Sequence, residues 1–226
     1  GNNEIGTIQP VEKLARIAHK HGAIFHTDAV QAVGHIPIDV KKLEVDMLSA
    51  SAHKFNGPKG IGFLYCQNSM MQSFHNGGSQ EMGMRAGTEN VPAIVAMAVA
   101  LKNNCKEMQK NIEHIQSVST AFLEKLTVDY KLNGSQTNKL AGINSIAIPK
   151  MNGESLLHLL DLKGFCVSTG SACDSVNTQI SHVLKAIHLP DDLAQGTIRV
   201  SFGKDNTKDE AIMLAQTINK IVSMTK

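Results

Sequence analysis

The feature that most constrains this chain is the alternation of helical and strand-like signals across its first 65 residues. Val11 to His21 carries Leu14, Ile17 and Ala18 at helical spacing, with Pro10 at its start and Gly22 just past its end. Pro pre-sets the backbone for a first helical turn, and Gly accepts the left-handed conformation that closes a last one. Ala23 to Thr27 then reads as a strand. A turn-rich stretch through Pro37 leads to a short helix from Asp39 to Leu43, then to strands at Asp46 to Ala50 and Ile61 to Tyr65. Strands interleaved with helices bury both faces of a mostly parallel sheet, so this half predicts an α/β architecture.

A glycine-rich connection, Gly77 to Gly87, precedes a long helical pattern from about Glu89 to Leu126. Ile94, Met97, Ala98, Leu101, Met108, Ile112, Ile115 and Phe122 form its apolar side. A helix of that length is expected to bridge two domains. Beyond it, Ile143 to Ile148 reads as a strand, Gly153 to Leu162 as a helix, Phe165 to Ser168 as a strand, Ser181 to His188 as a helix and Thr197 to Phe202 as a strand. Thr207-Lys208-Asp209-Glu210 is a capping box that opens a last helix. This second half predicts a smaller α+β unit.

Composition narrows the function. With 226 residues, 42% of them hydrophobic, the chain is long enough to bury a core. Its formal charge of +2 comes from interspersed acids and bases, which argues against a nucleic-acid or lipid surface. No apolar run approaches the ~20 residues that span a bilayer, so a cytoplasmic location without membrane contact is expected. The cysteines Cys66, Cys105, Cys166 and Cys173 form no CxxC pair, which fits reduced thiols better than disulfides or a zinc site. Cys66 and Cys166 sit in strand signals and Cys105 on a helix, so packing roles are expected for all three.

Three segments carry chemistry. Lys54 stands just past a strand, after His53 and before Gly57, Pro58 and Gly60, in a loop of fixed irregular path. A lysine amine there can form a Schiff base once it loses its proton, although a surface lysine fits the same pattern. Asp28 closes the strand signal in His26-Thr27-Asp28-Ala29-Val30-Gln31, at the strand end where open parallel sheets place ligands. It can accept a hydrogen bond from a pyridinium nitrogen, with Gln31 donating to a ring oxygen, or it can cap a helix. The stretch from Asp28 to Lys54 is long enough for one crossover that brings two strand ends together. Third, Cys173 lies in Ser168-Thr169-Gly170-Ser171-Ala172-Cys173-Asp174-Ser175, which has no hydrophobic periodicity and reads as a mobile exposed loop suited to a reactive thiol.

With Asn2-Asn3-Glu4-Ile5-Gly6, Gly57-Pro58-Lys59-Gly60, Arg85-Ala86-Gly87-Thr88 and Ile198-Arg199-Val200-Ser201, these segments run through nearly the whole chain. In that order and spacing they resemble the NifS and IscS type of cysteine desulfurase, a class V, fold-type I pyridoxal-phosphate enzyme. The resemblance implies that residues 1–90 are the C-terminal part of the large cofactor-binding domain, 91–126 a bridging helix, and 127–226 a small domain carrying the Cys173 loop. It makes Lys54 the lysine that holds pyridoxal 5'-phosphate, Asp28 its pyridinium partner and Gln31 its phenolate partner. Ser51 and His53 would bind the phosphate, joined by Thr88 from the other subunit of a homodimer. Asn3 would contact cofactor and substrate, and Arg199 the carboxylate of L-cysteine. Cys173 would be the nucleophile that receives sulfur and passes it to a scaffold or acceptor protein for iron–sulfur cluster assembly or tRNA thiolation. No resident metal site is implied, Cys173 being at most a transient iron–sulfur ligand.

A complete member of that group has a long segment before Asn2-Asn3, with more of the sheet, a phosphate-binding turn and a histidine stacked on the cofactor. The chain by itself is therefore expected to bind cofactor poorly. Histidines other than His26 and His53, His35 among them, read as surface or packing residues. The competing readings are another class V activity, such as selenocysteine cleavage or aminotransfer, and a non-catalytic domain that docks a scaffold protein.

Overall fold

The computed structural model describes residues 1–67, 71–170 and 180–225. They form two compact units, one of residues 10–108 and one of residues 1–9 with 109–226. No helix among the described residues is long and apolar enough to cross a membrane.

In the first unit, α1 (Val11–Lys20) is followed by β1 (His26–Asp28), β2 (Met47–Ser51) and β3 (Gly62–Cys66). The sheet order is β1-β2-β3, with β1 parallel to β2 and β2 antiparallel to β3. The antiparallel pair follows from the short connection between β2 and β3, which cannot hold the crossover a parallel neighbour needs. Leu48 and Ala50 turn to one face. There they meet Ala29, Val33 and the buried Phe55, with Met97, Ala100 and Leu101 of the long helix α2 (Val91–Lys125) packed against them. Each such aliphatic or aromatic side chain contributes about 1.5–3 kcal/mol when fully buried.

Some expectations give way here. Residues 39–43 form a hydrogen-bonded turn rather than a helix, because Asp39 Oδ1 accepts the Lys41 and Lys42 amides but only the Leu43 amide reaches back to the Asp39 carbonyl. The strand expected from Ala23 starts three residues later, at His26. On α1 the expected inner face is open: Leu14 is 40% and Ile17 47% exposed, and the buried residue is Ala15. Ala98 and Cys105 are also exposed, since the inward side of α2 runs through Met97, Leu101 and Asn104.

In the second unit a sheet of order β4-β5-β6 is antiparallel throughout, from β4 (Lys131–Leu132), β5 (Ile143–Ala147) and β6 (Thr197–Ser201). Central β5 is covered on both sides. Ile146 faces a core with Phe122, Ile198, Val200, Leu156 and Leu160 of α3 (Gly153–Asp161), and Leu214 and Ile218 of α6 (Lys208–Met224). Ala147 faces a second cluster made by Ile5, Leu184 of α4 (His182–Ala186), Leu189 and Ala194 of α5 (Asp191–Gln195). The capping box forms as read, the Thr207 hydroxyl accepting the Glu210 amide and Glu210 accepting the Thr207 amide. The strand expected at Phe165 to Ser168 shrinks to one bridge, Ser168 with Arg199, and Cys166 is exposed rather than packed.

Candidate functional site

Because β1 and β2 are parallel, their carboxyl ends lie side by side, with Asp28 in register with Ser49. Strand pleating puts His26 and Asp28 on the face of Ser49 and Ser51, opposite the core-facing Leu48 and Ala50. The His26 Nε2 to Ser49 Oγ contact of 2.8 Å lies on this face. Directly after Ser51 the chain tightens into a 3₁₀ turn, Ala52–Phe55, closed by Asn56 in the left-handed region at φ 63°. Asn tolerates that conformation better than most residues.

This turn presents the predicted cluster. The Ser51 hydroxyl and His53 Nδ1 share a hydrogen bond of 2.8 Å, and Lys54 is half-buried beside them in sequence. Asp28 is exposed, and its Oδ1 accepts the Val30 amide at 2.9 Å. That is a local turn contact with no helix behind it, so the helix cap weighed for Asp28 does not form, and a carboxylate keeps further acceptor sites after one such bond. Gln31 is half-buried in the turn after β1, while Thr88 is exposed just before α2. The strand ends thus offer an amine, a hydroxyl with an imidazole, and a carboxylate. That donor set suits an aromatic aldehyde bearing a phosphate.

Two partners of this turn escaped the sequence reading. His35 Nε2 lies 2.7 Å from the Lys54 carbonyl, and Asn104 Nδ2 donates to the Phe55 carbonyl at 2.7 Å. His35 carried no local signal. Asn104 did carry one, as a polar residue on the apolar side of a helix.

In the other unit, the two predicted residues Asn3 and Arg199 meet. Alternation along β6 sends Ile198 and Val200 into the core and Arg199 to the opposite face. There Arg199 Nη1 donates to the carbonyls of Asn3 at 3.0 Å and Gly170 at 2.9 Å. The turn that carries Asn3 is held by Asn2, whose side-chain oxygen accepts the Glu4 and Ile5 amides. Glu4, only 3% exposed, accepts the Ser181 hydroxyl at 2.5 Å, a contact the sequence did not suggest. Cys173 lies within 171–179, outside the described residues. No cluster of metal-ligating side chains occurs among the described residues.

Two carboxyls and a lysine are held below the ordinary pKa of their kind. The Phe25 amide and then the His19 ring hold the Asp46 carboxyl below its usual value, and the Thr207 amide does the same for Glu210. Burial lowers the Lys139 ammonium, which donates to Asn144 at 3.2 Å.

A family model described as aminotransferase class-V matches residues 1–214. The cysteine desulfurase IscS of Dictyoglomus turgidum is 45% identical over 225 residues, which cover 98% of this chain and 57% of that protein. A solved structure titled NifS-like protein superposes with a TM-score of 0.89 at 36% identity, covering 99% of this chain and 59% of the other. One titled SspA in complex with cysteine gives a TM-score of 0.73 at 33% identity, with coverages of 91% and 58%. The chain therefore spans somewhat more than half the length of the relatives it matches.

Proposed function

Because the chain belongs to the class-V aminotransferase family, we propose that it supplies the cofactor lysine and the sulfur-accepting cysteine of a pyridoxal-phosphate-dependent cysteine desulfurase. The observation that carries this reading is the convergence of Asp28 and the Ser51–His53–Lys54 run at the carboxyl ends of two paired parallel strands. The desulfurase name of a relative 45% identical, and the cysteine bound in a similar structure, support the substrate.

When bound, pyridoxal phosphate supplies an electron-withdrawing ring that stores charge released at the substrate carbon. Lys54 Nζ would hold that group covalently and, when free, would serve as the base that takes the substrate Cα proton and the acid that returns it. Asp28 would keep the ring nitrogen protonated by accepting its hydrogen bond, and the Gln31 amide would donate to the ring oxygen. The Ser51 hydroxyl and His53 ring take the phosphate, with Thr88 joining them from a second copy of the chain in a homodimer. Asn3 contacts cofactor and substrate, and the Arg199 guanidinium receives the substrate carboxylate.

Cys173 thiolate forms a sulfur–sulfur bond with the substrate as the substrate carbon–sulfur bond breaks. The carbon keeps the bonding pair and takes a proton, so alanine leaves and Cys173 becomes a persulfide. That sulfur passes to an acceptor or scaffold protein for iron–sulfur cluster assembly or tRNA thiolation, with cytoplasm as the compartment.

The test pairs two substitutions in the protein treated with pyridoxal phosphate and borohydride, which fixes the cofactor onto the lysine that holds it. Lys54→Ala should remove most of the fixed adduct, leaving only what forms on surface lysines such as Lys59. Cys173→Ser should keep the adduct while sulfide release from L-cysteine is lost. Sulfide release that survives Cys173→Ser would point to a different class V activity, and a total adduct undiminished by Lys54→Ala would remove the reading altogether.

A further inference from the structure

The carbonyls at the end of a helical turn have no partner within it and must find one elsewhere. In the 3₁₀ turn that carries Lys54, the Ala52 carbonyl is met within the turn by the Gly57 amide at 2.8 Å. The Lys54 and Phe55 carbonyls are met by side chains from separate elements. His35, in the segment after β1, donates to Lys54 O at 2.7 Å, and Asn104, on α2, donates to Phe55 O at 2.7 Å.

Both donors are themselves fixed. Asn104 is 8% exposed, bonds its own helix at Ala100 O (2.9 Å) and accepts the Asn56 side-chain amide at 3.3 Å. His35 is preceded by Gly34 at φ +79°, and a Cβ there would stand 2.8 Å from the Cβ of the fully buried Phe55. The glycine lets the His35 backbone come against the turn. Asn56 and Gly57 complete the turn, since a Cβ on Gly57 would meet Ala52 at 2.9 Å.

We propose that His35 and Asn104 are positioning residues for Lys54, acting through the two backbone carbonyls at its own position and the next. This rests on Lys54 being the cofactor lysine. A lysine amine hangs on a flexible four-carbon stem, so its reach is set by where its backbone is held. Reacting groups misplaced by about 1 Å lose of the order of a hundredfold in rate, which is the penalty a brace of this kind avoids. His35 and Asn104 touch neither substrate nor cofactor in this reading. They set the starting point from which Nζ extends.

The experiment uses the whole chain with pyridoxal phosphate in excess, borohydride reduction, and mass spectrometry that compares the adduct at Lys54 with that at Lys59 in the same loop. This within-molecule ratio is insensitive to a small change in overall stability. The parent should favour Lys54, and His35→Phe and Asn104→Leu should each lower the ratio by about tenfold. His35→Gln, which keeps an N–H donor at similar reach, should restore it. Circular dichroism selects variants that remain folded, and His35 is the decisive site if Asn104→Leu unfolds. A parent ratio favouring Lys54 that stays unchanged in folded His35→Phe overturns the brace and leaves the proposed function standing. A parent with no preference for Lys54 overturns both.

Discussion

Arg199 Nη1 donates to the Asn3 carbonyl at 3.0 Å, joining residues 196 positions apart. The same nitrogen donates to Gly170, the last described residue before 171–179. One corner of a guanidinium thus ties the turn that contains Asn3 and Glu4 to strand β6 and to the chain entering the Cys173 segment.

Replacing Arg199 by Lys keeps the charge and loses the planar fork. An ammonium can serve one of these carbonyls well but not hold the same two directions with the same geometry. We expect Arg199→Lys to lower stability by about 1–2 kcal/mol and, on the proposed function, to raise KM for L-cysteine. Urea midpoints and initial rates measure the two effects, and an unchanged midpoint would mean the two backbone contacts contribute nothing.

Ser181 has two duties: its oxygen accepts the Val183 amide at the start of α4, and its hydroxyl donates to the buried Glu4. Ser181→Ala removes the cap and strips the buried Glu4 carboxylate of the Ser181 hydroxyl donor, so the loss should reach about 2–3 kcal/mol. Glu4→Gln in the same background should recover part of it, because an uncharged amide is less costly to bury. A double-mutant cycle with no coupling between the two positions would contradict this account.

Gly34→Ala places a methyl group 2.8 Å from Phe55 Cβ in a residue that must also keep φ at +79°. Overpacking and left-handed strain act together, and the expected loss is about 2–4 kcal/mol. Thermal melts of Gly34→Ala and Gly34→Asn separate the two causes, since Asn tolerates a positive φ but carries the same Cβ.

Asp46 Oδ2 accepts the Phe25 amide at 2.7 Å and faces His19 Nε2 at 2.8 Å, which holds its folded-state pKa below the ordinary 3.8. A depressed acid stabilises the fold above its unfolded pKa, and that contribution is lost as pH falls through the folded value. Asp46→Asn should therefore cost about 1 kcal/mol near neutrality, modest because the pair is open to water, and nothing once the parent carboxylate is protonated. Urea midpoints from neutral pH down to strongly acid pH should show the two proteins converging. A constant difference across that range would assign the effect to packing.

Elements with a strong repeating pattern were legible from their residues alone. The long helix was expected over Glu89 to Leu126 and spans Val91–Lys125, β5 and α3 fall within a residue of their expected bounds, and α6 opens where its capping box placed it. Weak or short patterns failed where neighbours decide the outcome. Phe165 to Ser168 is apolar enough for a strand, yet only Ser168 bridges to one, and β4, two residues long, pairs with β5 with Leu132 opposite Ile146.

The sequence by itself determined the helical and strand periods, the helix caps, and the order of residues that marks the family, because each depends on side chains a few positions apart. Tertiary structure alone decided which backbone atoms those side chains satisfy. Arg199 reaching Asn3, Ser181 reaching Glu4, and His35 and Asn104 closing the Lys54 turn all join groups far apart in the chain. A buried or turn-end polar group must be paired by whatever the fold brings within 3 Å or so, and no local pattern encodes that neighbour.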